Sequence, residues 1–328
     1  MTKKIRWGIL GCGRIASKFA SDLALSTTGE LYACVSQDLD NAKSFAQKYQ
    51  VHHVYSNYYT FVSCEELDAV YIATPHSHHF EHTMLCLNAG KPVLCEKPLT
   101  VNQSLATQLF DLAKSKKCLL MEAMWTAFLP AIQEVKEKVS KGHIGNIRHL
   151  KADFGFKSNY DPLGRLFNPD LAGGSLLDIG IYPLFICLYL MGVPQKVIAS
   201  GHLADTGVDD ECTIMLKYKN GATALLYSTI SHNTDTICEV FGTEGKIYIP
   251  SRFHEQIQYK IKKETGETTT YVRDKTGFGY YHEIEHFNNC IVTGLTESPI
   301  LPYSLSITMV QIMDDIRKQI GLLYKWDS

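Results

Sequence analysis

The sequence predicts an α/β fold class: an N-terminal doubly wound parallel sheet, then a C-terminal α+β domain with a large, mainly antiparallel, open-faced sheet. Three observations carry this reading. Short apolar runs alternate with helical periodicity over the first third of the chain, a glycine-rich turn follows the first run, and after about Glu122 successive strand-like segments replace the alternation. At 328 residues the chain exceeds what one core usually supports, so two domains are expected, residues 1–122 and 123–328.

In chain order, residues 5–10 (IRWGIL) read as a buried strand and 14–25 as a helix, because the apolar residues of the second stretch recur at helical spacing. Strand 31–36, helix 41–49, strand 70–73 and helix 80–88 follow, the last ended by Gly90 with Pro92 beyond it. Strand 93–95, helix 105–116 and strand 119–121 complete the alternating part, which implies parallel pairing. Beyond it come a helix at 131–140, a strand at 147–156, a Pro-, Gly- and Asn-rich loop and a long apolar helix at 176–191. Strands are expected at 196–202, 212–218, 222–228, 237–241, 246–249 and 257–261, and closing helices at 282–292 and 305–323. Asn220-Gly221 signals a hairpin turn with positive φ at both residues.

Composition excludes several classes of partner. The net charge is −2, and no cluster of five or more Lys and Arg occurs, so nucleic acid is not expected. Ten cysteines without a C-x-x-C pair read as reduced core residues of a cytoplasmic protein. No apolar run is expected to approach the roughly 18 residues of a membrane span, so neither secretion nor membrane insertion is expected.

The first turn reads Gly11-Cys12-Gly13-Arg14-Ile15-Ala16, a G-x-G-x-x-A pattern between strand and helix. Gly11 permits the tight turn, Gly13 lets a pyrophosphate approach, and N–H groups at the helix start, on Arg14 and Ile15, can hold it. At the first strand of an alternating domain this favours a Rossmann domain binding NAD or NADP. Ser36, Gln37 and Asp38 end the second strand, where the two cofactors are told apart. Ser36 and Gln37 can bond a 2′-phosphate and Lys43 lies one turn on, which narrowly favours NADP; Asp38 is either a ribose ligand or a helix N-cap.

Thr74, Pro75 and His76 follow the strand at 70–73 and should line the cofactor, with His79 on the same side. Four histidines within seven residues, His76 to His82, raise a metal as an alternative, but no Cys or carboxylate completes a zinc set. His282-Glu283-Ile284-Glu285-His286 matches H-E-x-x-H, yet falls late in the chain and after the nucleotide domain, so no metal is assigned. Glu96-Lys97-Pro98 ends the strand at 93–95, on the same sheet edge as the glycine turn. Lys97 there can polarise or deprotonate a substrate hydroxyl.

Together, G-x-G-x-x-A at Gly11 to Ala16, A-T-P-x-x-x-H at Ala73 to His79, and Glu96-Lys97-Pro98 resemble the glucose-fructose oxidoreductase and inositol dehydrogenase (Gfo/Idh/MocA) superfamily. Residues 121–126 (MEAMWT), 165–169 (RLFNP) and 173–182 (GGSLLDIGIY) are similar to the branch of dimeric dihydrodiol dehydrogenase and NADP-dependent D-xylose dehydrogenase. The resemblance implies a homodimer formed through the C-terminal sheet and a catalytic Lys97, assisted by Asp178 and Tyr182 on one helix face, where many members carry Asp and His. His76 stands where many relatives have asparagine, and Gln37 where the branch commonly has a phosphate-binding arginine. The expected reaction moves a hydride between a hydroxyl-bearing carbon of a sugar, cyclic polyol or trans-dihydrodiol and the nicotinamide. Lys97 and Tyr182 exchange the hydroxyl proton, Asp178 orients them, Trp125 and Phe154 are candidates to wall the substrate, and Arg165 to bind it. The rival expectation is a non-catalytic NAD(P)-binding sensor.

Overall fold

The computed structural model describes residues 3–327. The chain forms two compact units: unit 1 comprises the chain up to Thr100, Ser104–Phe128 and Lys275–Ser306, and unit 2 comprises Val101–Gln103, Leu129–Asp274 and the chain from Ile307 onward. These units differ from a division in chain order at residue 122, because 275–306 returns to unit 1.

Unit 1 is built on β1 (Ile5–Leu10), β2 (Gly29–Val35), β3 (His53–Tyr55), β4 (Ala69–Ile72), β5 (Val93–Glu96) and β6 (Leu120–Ala123), all parallel, in the order β3-β2-β1-β4-β5-β6. Its helices are α1 (Arg14–Leu23), α2 (Leu39–Tyr49), α3 (Tyr58–Val62), α4 (His79–Asn88) and α5 (Gln103–Lys116). Every residue of β4, β5 and β6 is buried, as strands covered by helices on both faces require. The order reverses between β1 and β4, which is the switch point where such sheets bind ligands.

The return of 275–306 has a local cause. Asp22 of α1 is 1% exposed, and its carboxylate accepts the N–H groups of Phe278 (2.8 Å), Gly279 (3.0 Å) and Tyr281 (3.1 Å), satisfying orphan donors at the start of a later helix. Trp7 adds to the anchor, donating from Nε1 to Asn288 Oδ1 at 2.9 Å.

Unit 2 carries α6 (Pro130–Ser140), α7 (Ile181–Met191) and eight strands: β7 (Ile147–Gly155), β8 (Lys196–Leu203), β9 (Asp209–Lys217), β10 (Thr223–Thr229), β11 (Cys238–Gly242), β12 (Gly245–Ile249), β13 (Gln258–Lys263) and β14 (Thr268–Val272). The sheet order is β14-β13-β12-β11-β7-β10-β9-β8, and only the β7–β10 pair is parallel. Of the closing helices, α8 (Tyr280–Val292) belongs to unit 1, and α9 (Tyr303–Ile320) belongs to unit 2 from Ile307 onward. Burial alternates along the strands: Leu150, Ala152, Ile214, Leu216, Ala224 and Leu226 are buried, while Lys151, Met215, Leu225 and Tyr227 between them are more open.

Several expectations need correction. The strand β14 and the short β3 and α3 were not expected. The Asn220-Gly221 turn does join β9 to β10, but only Gly221 has positive φ (81°), so it is a type I turn closed by a left-handed glycine. The helix expected at 176–191 opens with a π turn, Leu176–Gly180, before α7. The segment Pro169–Met191 also has the length and mean hydropathy (1.7) of a membrane span, contrary to the expectation that no run approaches one. Its most apolar 18-residue stretch is 94% buried inside the protein, as the core helix of a folded unit is.

Candidate active site

In unit 1, Leu10, Ile72, Cys95 and Glu122 lie in register across β1, β4, β5 and β6. The residues just beyond them therefore form one rim: the glycine turn, Ala73 to His76, Glu96 to Pro98, and Trp125. Lys97 follows β5, two strand spacings from the glycine turn, or about 10 Å.

Gly11 has φ +97°, and a Cβ there would meet Thr74 Cγ2 at 2.9 Å and the Ala73 carbonyl at 3.0 Å, so the first turn needs glycine to lie against the end of β4. Gly13 is different: a Cβ on it would meet nothing within 4 Å. It is the N-cap of α1, which has no side-chain cap and no acidic residue in its first turn, so the N–H groups at Arg14 and Ile15 face an open cradle. Ala16 is fully buried, allowing the close helix–strand packing the pattern implies. These residues fit a dinucleotide pyrophosphate.

At the end of β2, Asp38 caps α2, Oδ1 accepting from Asp40 N (3.0 Å) and Asn41 N (3.1 Å). Of the two roles the sequence allowed it, the cap is the one its hydrogen bonds show. Ser36 and Gln37 precede it, and Lys43 lies 3.9 Å from Asp40.

Thr74 Oγ1 meets His82 Nδ1 at 3.1 Å, and Pro75 opens the short turn His76–His78. His76 is 7% exposed, its ring 5.7 Å from that of His79. His79 is fully buried, with Nδ1 2.7 Å from the Pro98 carbonyl and Nε2 2.9 Å from the Thr74 carbonyl. Two carbonyls favour the charged ring and burial the neutral one; the nearby Lys97 charge adds to burial, and the ring is pulled down to about 4. A neutral ring has one N–H, and the shorter contact assigns it to Pro98.

Beside the rim lies a group of buried carboxyls. Glu96 accepts the Tyr71 hydroxyl, and Glu122 accepts Leu99 N–H (2.9 Å) and the Ser306 hydroxyl (2.6 Å). Glu283, inside the H-E-x-x-H sequence, is fully buried with neither oxygen hydrogen-bonded among the described residues. Its flanking histidines have other partners: His286 Nε2 is 2.8 Å from Ser298 Oγ, and His282 Nε2 accepts Thr276 N–H at 3.4 Å. No group of three or more His, Cys, Asp and Glu able to hold a metal occurs among the described residues. Trp125, expected to wall the substrate, is 7% exposed and stacks on Tyr280 at 5.0 Å and 3° within unit 1.

Unit 2 brings together a second set. Arg165 grips Asp178 with both nitrogens, at 2.8 and 3.2 Å, in a bidentate pair. Asp178 sits in the π turn and Tyr182 in α7, each 7% exposed. The Tyr182 ring lies 5.6 Å from Phe154 and 5.0 Å from His254, and Phe154 stacks on His254 at 4.4 Å. Sequence reasoning missed His254, which stands in no recognisable motif, and Asp209. Asp209 is fully buried under the π turn, with Oδ2 accepting Ser175 Oγ and Leu176 N–H at 2.7 Å each; burial pushes its carboxyl up to about 7 against those bonds.

A 3-2-1-4-5-6 parallel sheet with an open glycine cradle at its switch point and a lysine on the same rim defines a dinucleotide-dependent oxidoreductase. Residues 5–124 match the model of the oxidoreductase family with an NAD-binding Rossmann fold, and residues 132–248 match the GFO/IDH/MocA C-terminal domain. The chain belongs to the GFO/IDH/MocA family and is an NAD(P)-dependent oxidoreductase. It is similar to the trans-1,2-dihydrobenzene-1,2-diol dehydrogenases of Mus musculus (34% identical) and Homo sapiens (33%), in both cases over 99% of each chain. Among solved structures it is similar to a 3-ketoreductase from Actinomadura kijaniata in complex with NADP and TDP-benzene (TM-score 0.88, 26% identity, 97% of this chain and 98% of that one). An aldose-aldose oxidoreductase from Caulobacter crescentus, complexed with glycerol, is equally similar (TM-score 0.88, 27% identity, 97% and 98%).

Proposed function

We propose that this enzyme oxidises a hydroxyl-bearing carbon of a trans-dihydrodiol, sugar or cyclic polyol, and reduces the matching carbonyl in reverse. The dinucleotide, which the turn at Gly11 to Ile15 would hold, would take up the hydride from the carbon, and Lys97 of unit 1 or Tyr182 of unit 2 would accept the hydroxyl proton. The observation that carries the reading is Lys97 on the rim that also holds the open glycine turn. Diol and sugar relatives support the substrate class. Asp178, fixed by Arg165, orients Tyr182 within unit 2, and Arg165 has substrate binding as its second role. Each unit has its own candidate to wall the substrate: Trp125 in unit 1, stacked on Tyr280, and Phe154 in unit 2, stacked on His254. A screen of diols, polyols and sugars with both cofactors tests the class. Cofactor binding without turnover of any of them would favour the sensor reading.

For the cofactor, Ser36, Gln37 and Lys43 support the narrow preference for NADP, while the Asp38 and Asp40 carboxylates oppose it. Both cofactors are expected to serve. Gln37→Arg should raise the NADP-to-NAD ratio of kcat/KM by about tenfold, the worth of one charge-assisted bond to the 2′-phosphate. An unchanged ratio would remove this turn from cofactor selection.

We also propose a cytoplasmic homodimer. All ten cysteines are unpaired, which suits a reducing compartment. Across the outer face of the large sheet, Ile198, Met215 and Leu225 lie in register on β8, β9 and β10, and Leu225 is 47% exposed. Such an apolar row suits a second copy of the sheet. Light scattering should give the mass of a dimer, and Leu225→Asp that of a monomer; a monomeric wild type would contradict this.

A further inference from the structure

Three consecutive residues of the turn that carries Lys97 are each held through the backbone by a buried ionisable side chain. Lys97 N–H donates to Glu96 Oε2 (3.3 Å), the Pro98 carbonyl meets His79 Nδ1 (2.7 Å), and Leu99 N–H donates to Glu122 Oε1 (2.9 Å). The holders come from three places along the sheet: His79 from α4, Glu96 from β5 and Glu122 from β6. The two carboxyls are themselves fixed, Glu96 by the Tyr71 hydroxyl and Glu122 by the Ser306 hydroxyl at 2.6 Å.

Glu122 is the costliest of the three to explain as mere packing. It is 3% exposed, and burial pushes its carboxyl above the usual carboxylate range, while the Ser306 hydroxyl, the Leu99 N–H and the Lys97 charge pull it back. Both of its bonds are accepted bonds, which suits the ionised form. A buried carboxylate is a poor means of stabilising a fold, since an apolar side chain of similar volume commonly does as well. What it does supply is a rigid two-point tie between the lysine turn and Ser306.

We propose that Glu122 is a positioning residue for Lys97, fixing the turn so that the amine is presented to the substrate hydroxyl in one orientation. This rests on Lys97 being the proton-handling group. The test compares Glu122→Ala, Glu122→Gln and Ser306→Ala with Lys97→Met as control, measuring kcat, KM, the NAD(P)H dissociation constant by fluorescence, and the melting temperature. Glu122→Ala should lose about a hundredfold in kcat, the cost of an ångström of misplacement, with KM and cofactor affinity nearly unchanged. Glu122→Gln should recover most of it, because its amide oxygen still accepts from Leu99 and its nitrogen can donate to Ser306 Oγ. If Glu122→Ala fails to fold, Ser306→Ala, which deletes one hydroxyl, should still lower kcat severalfold without moving KM. Wild-type kcat in the alanine variants, or a fall in cofactor affinity as large as that in kcat, overturns the proposal. An inactive Lys97→Met beside a fully active Glu122→Ala refutes positioning alone, whereas an active Lys97→Met refutes the lysine assignment beneath it.

Discussion

Lys97→Met is expected to lower kcat about a thousandfold or more while the NAD(P)H dissociation constant stays within about threefold, since a positioned acid–base group contributes 10²–10⁴ to rate. Methionine keeps much of the stem and removes the amine. The cradle at Gly11 to Ile15 lies between β1 and α1, two strands away from the end of β5. Cofactor binding and turnover should therefore separate. Stopped-flow reduction of the cofactor, beside a fluorescence titration, makes the comparison; retained kcat, or lost binding, would show that the amine has another role.

Glu283→Met is expected to stabilise the protein by about 2 kcal/mol or more at pH 8, because it removes a buried carboxyl that has no compensating hydrogen bond. Glu283 is fully buried, and its ionisation is opposed by burial first and then by the carboxyls of Glu96 and Asp22, so its folded-state value lies well above the usual 4.5. The sign follows from linkage. For a carboxyl raised on folding, the unfolded chain ionises first, so stability is full below about pH 4.5 and declines as pH rises through the folded value. Asp209, raised to about 7, adds a decline of the same sign between its unfolded value and neutrality. Thermal melts from pH 5 to pH 9 should show the Glu283→Met gain growing with pH, with the Asp209 decline still present. A loss at pH 8 would mean that Glu283 is ionised and partnered in the folded protein, and a gain equal at all pH values that folding does not shift its titration.

Much of the fold was legible because its signals are local. The glycine turn, the apolar strands β1, β4 and β5 and the Gly90 stop each declare themselves within about ten residues of sequence. The missed elements lack such signals. β3 is three residues long with an exposed start, and β14, a threonine-rich edge strand, has mostly exposed side chains, so neither carries a periodic apolar pattern. The return of 275–306 to unit 1 depends on Asp22 reaching N–H groups more than 250 residues away, a contact no window of sequence can contain. The site divides in the same way. Lys97, Gly13 and His79 stand in recognisable short patterns, whereas Glu122, Asp209 and His254 matter through what they touch in the folded chain. Asp38 shows the limit of pattern alone: the same position suits a ribose ligand and a cap, and only the bonds to Asp40 and Asn41 tell which it makes.

The most direct test of hydride transfer at this rim follows the hydrogen itself. Trans-dihydrodiols, polyols and sugars deuterated at the carbinol carbon are incubated with wild-type enzyme and NAD or NADP, and the recovered nicotinamide is read by NMR. The expected result is deuterium at C4 on a single face of the ring, arriving about a thousandfold more slowly or worse with Lys97→Met. A wild-type protein that binds the cofactor yet places no deuterium on it from any of these substrates would contradict the account and leave a cofactor-sensing protein in its place.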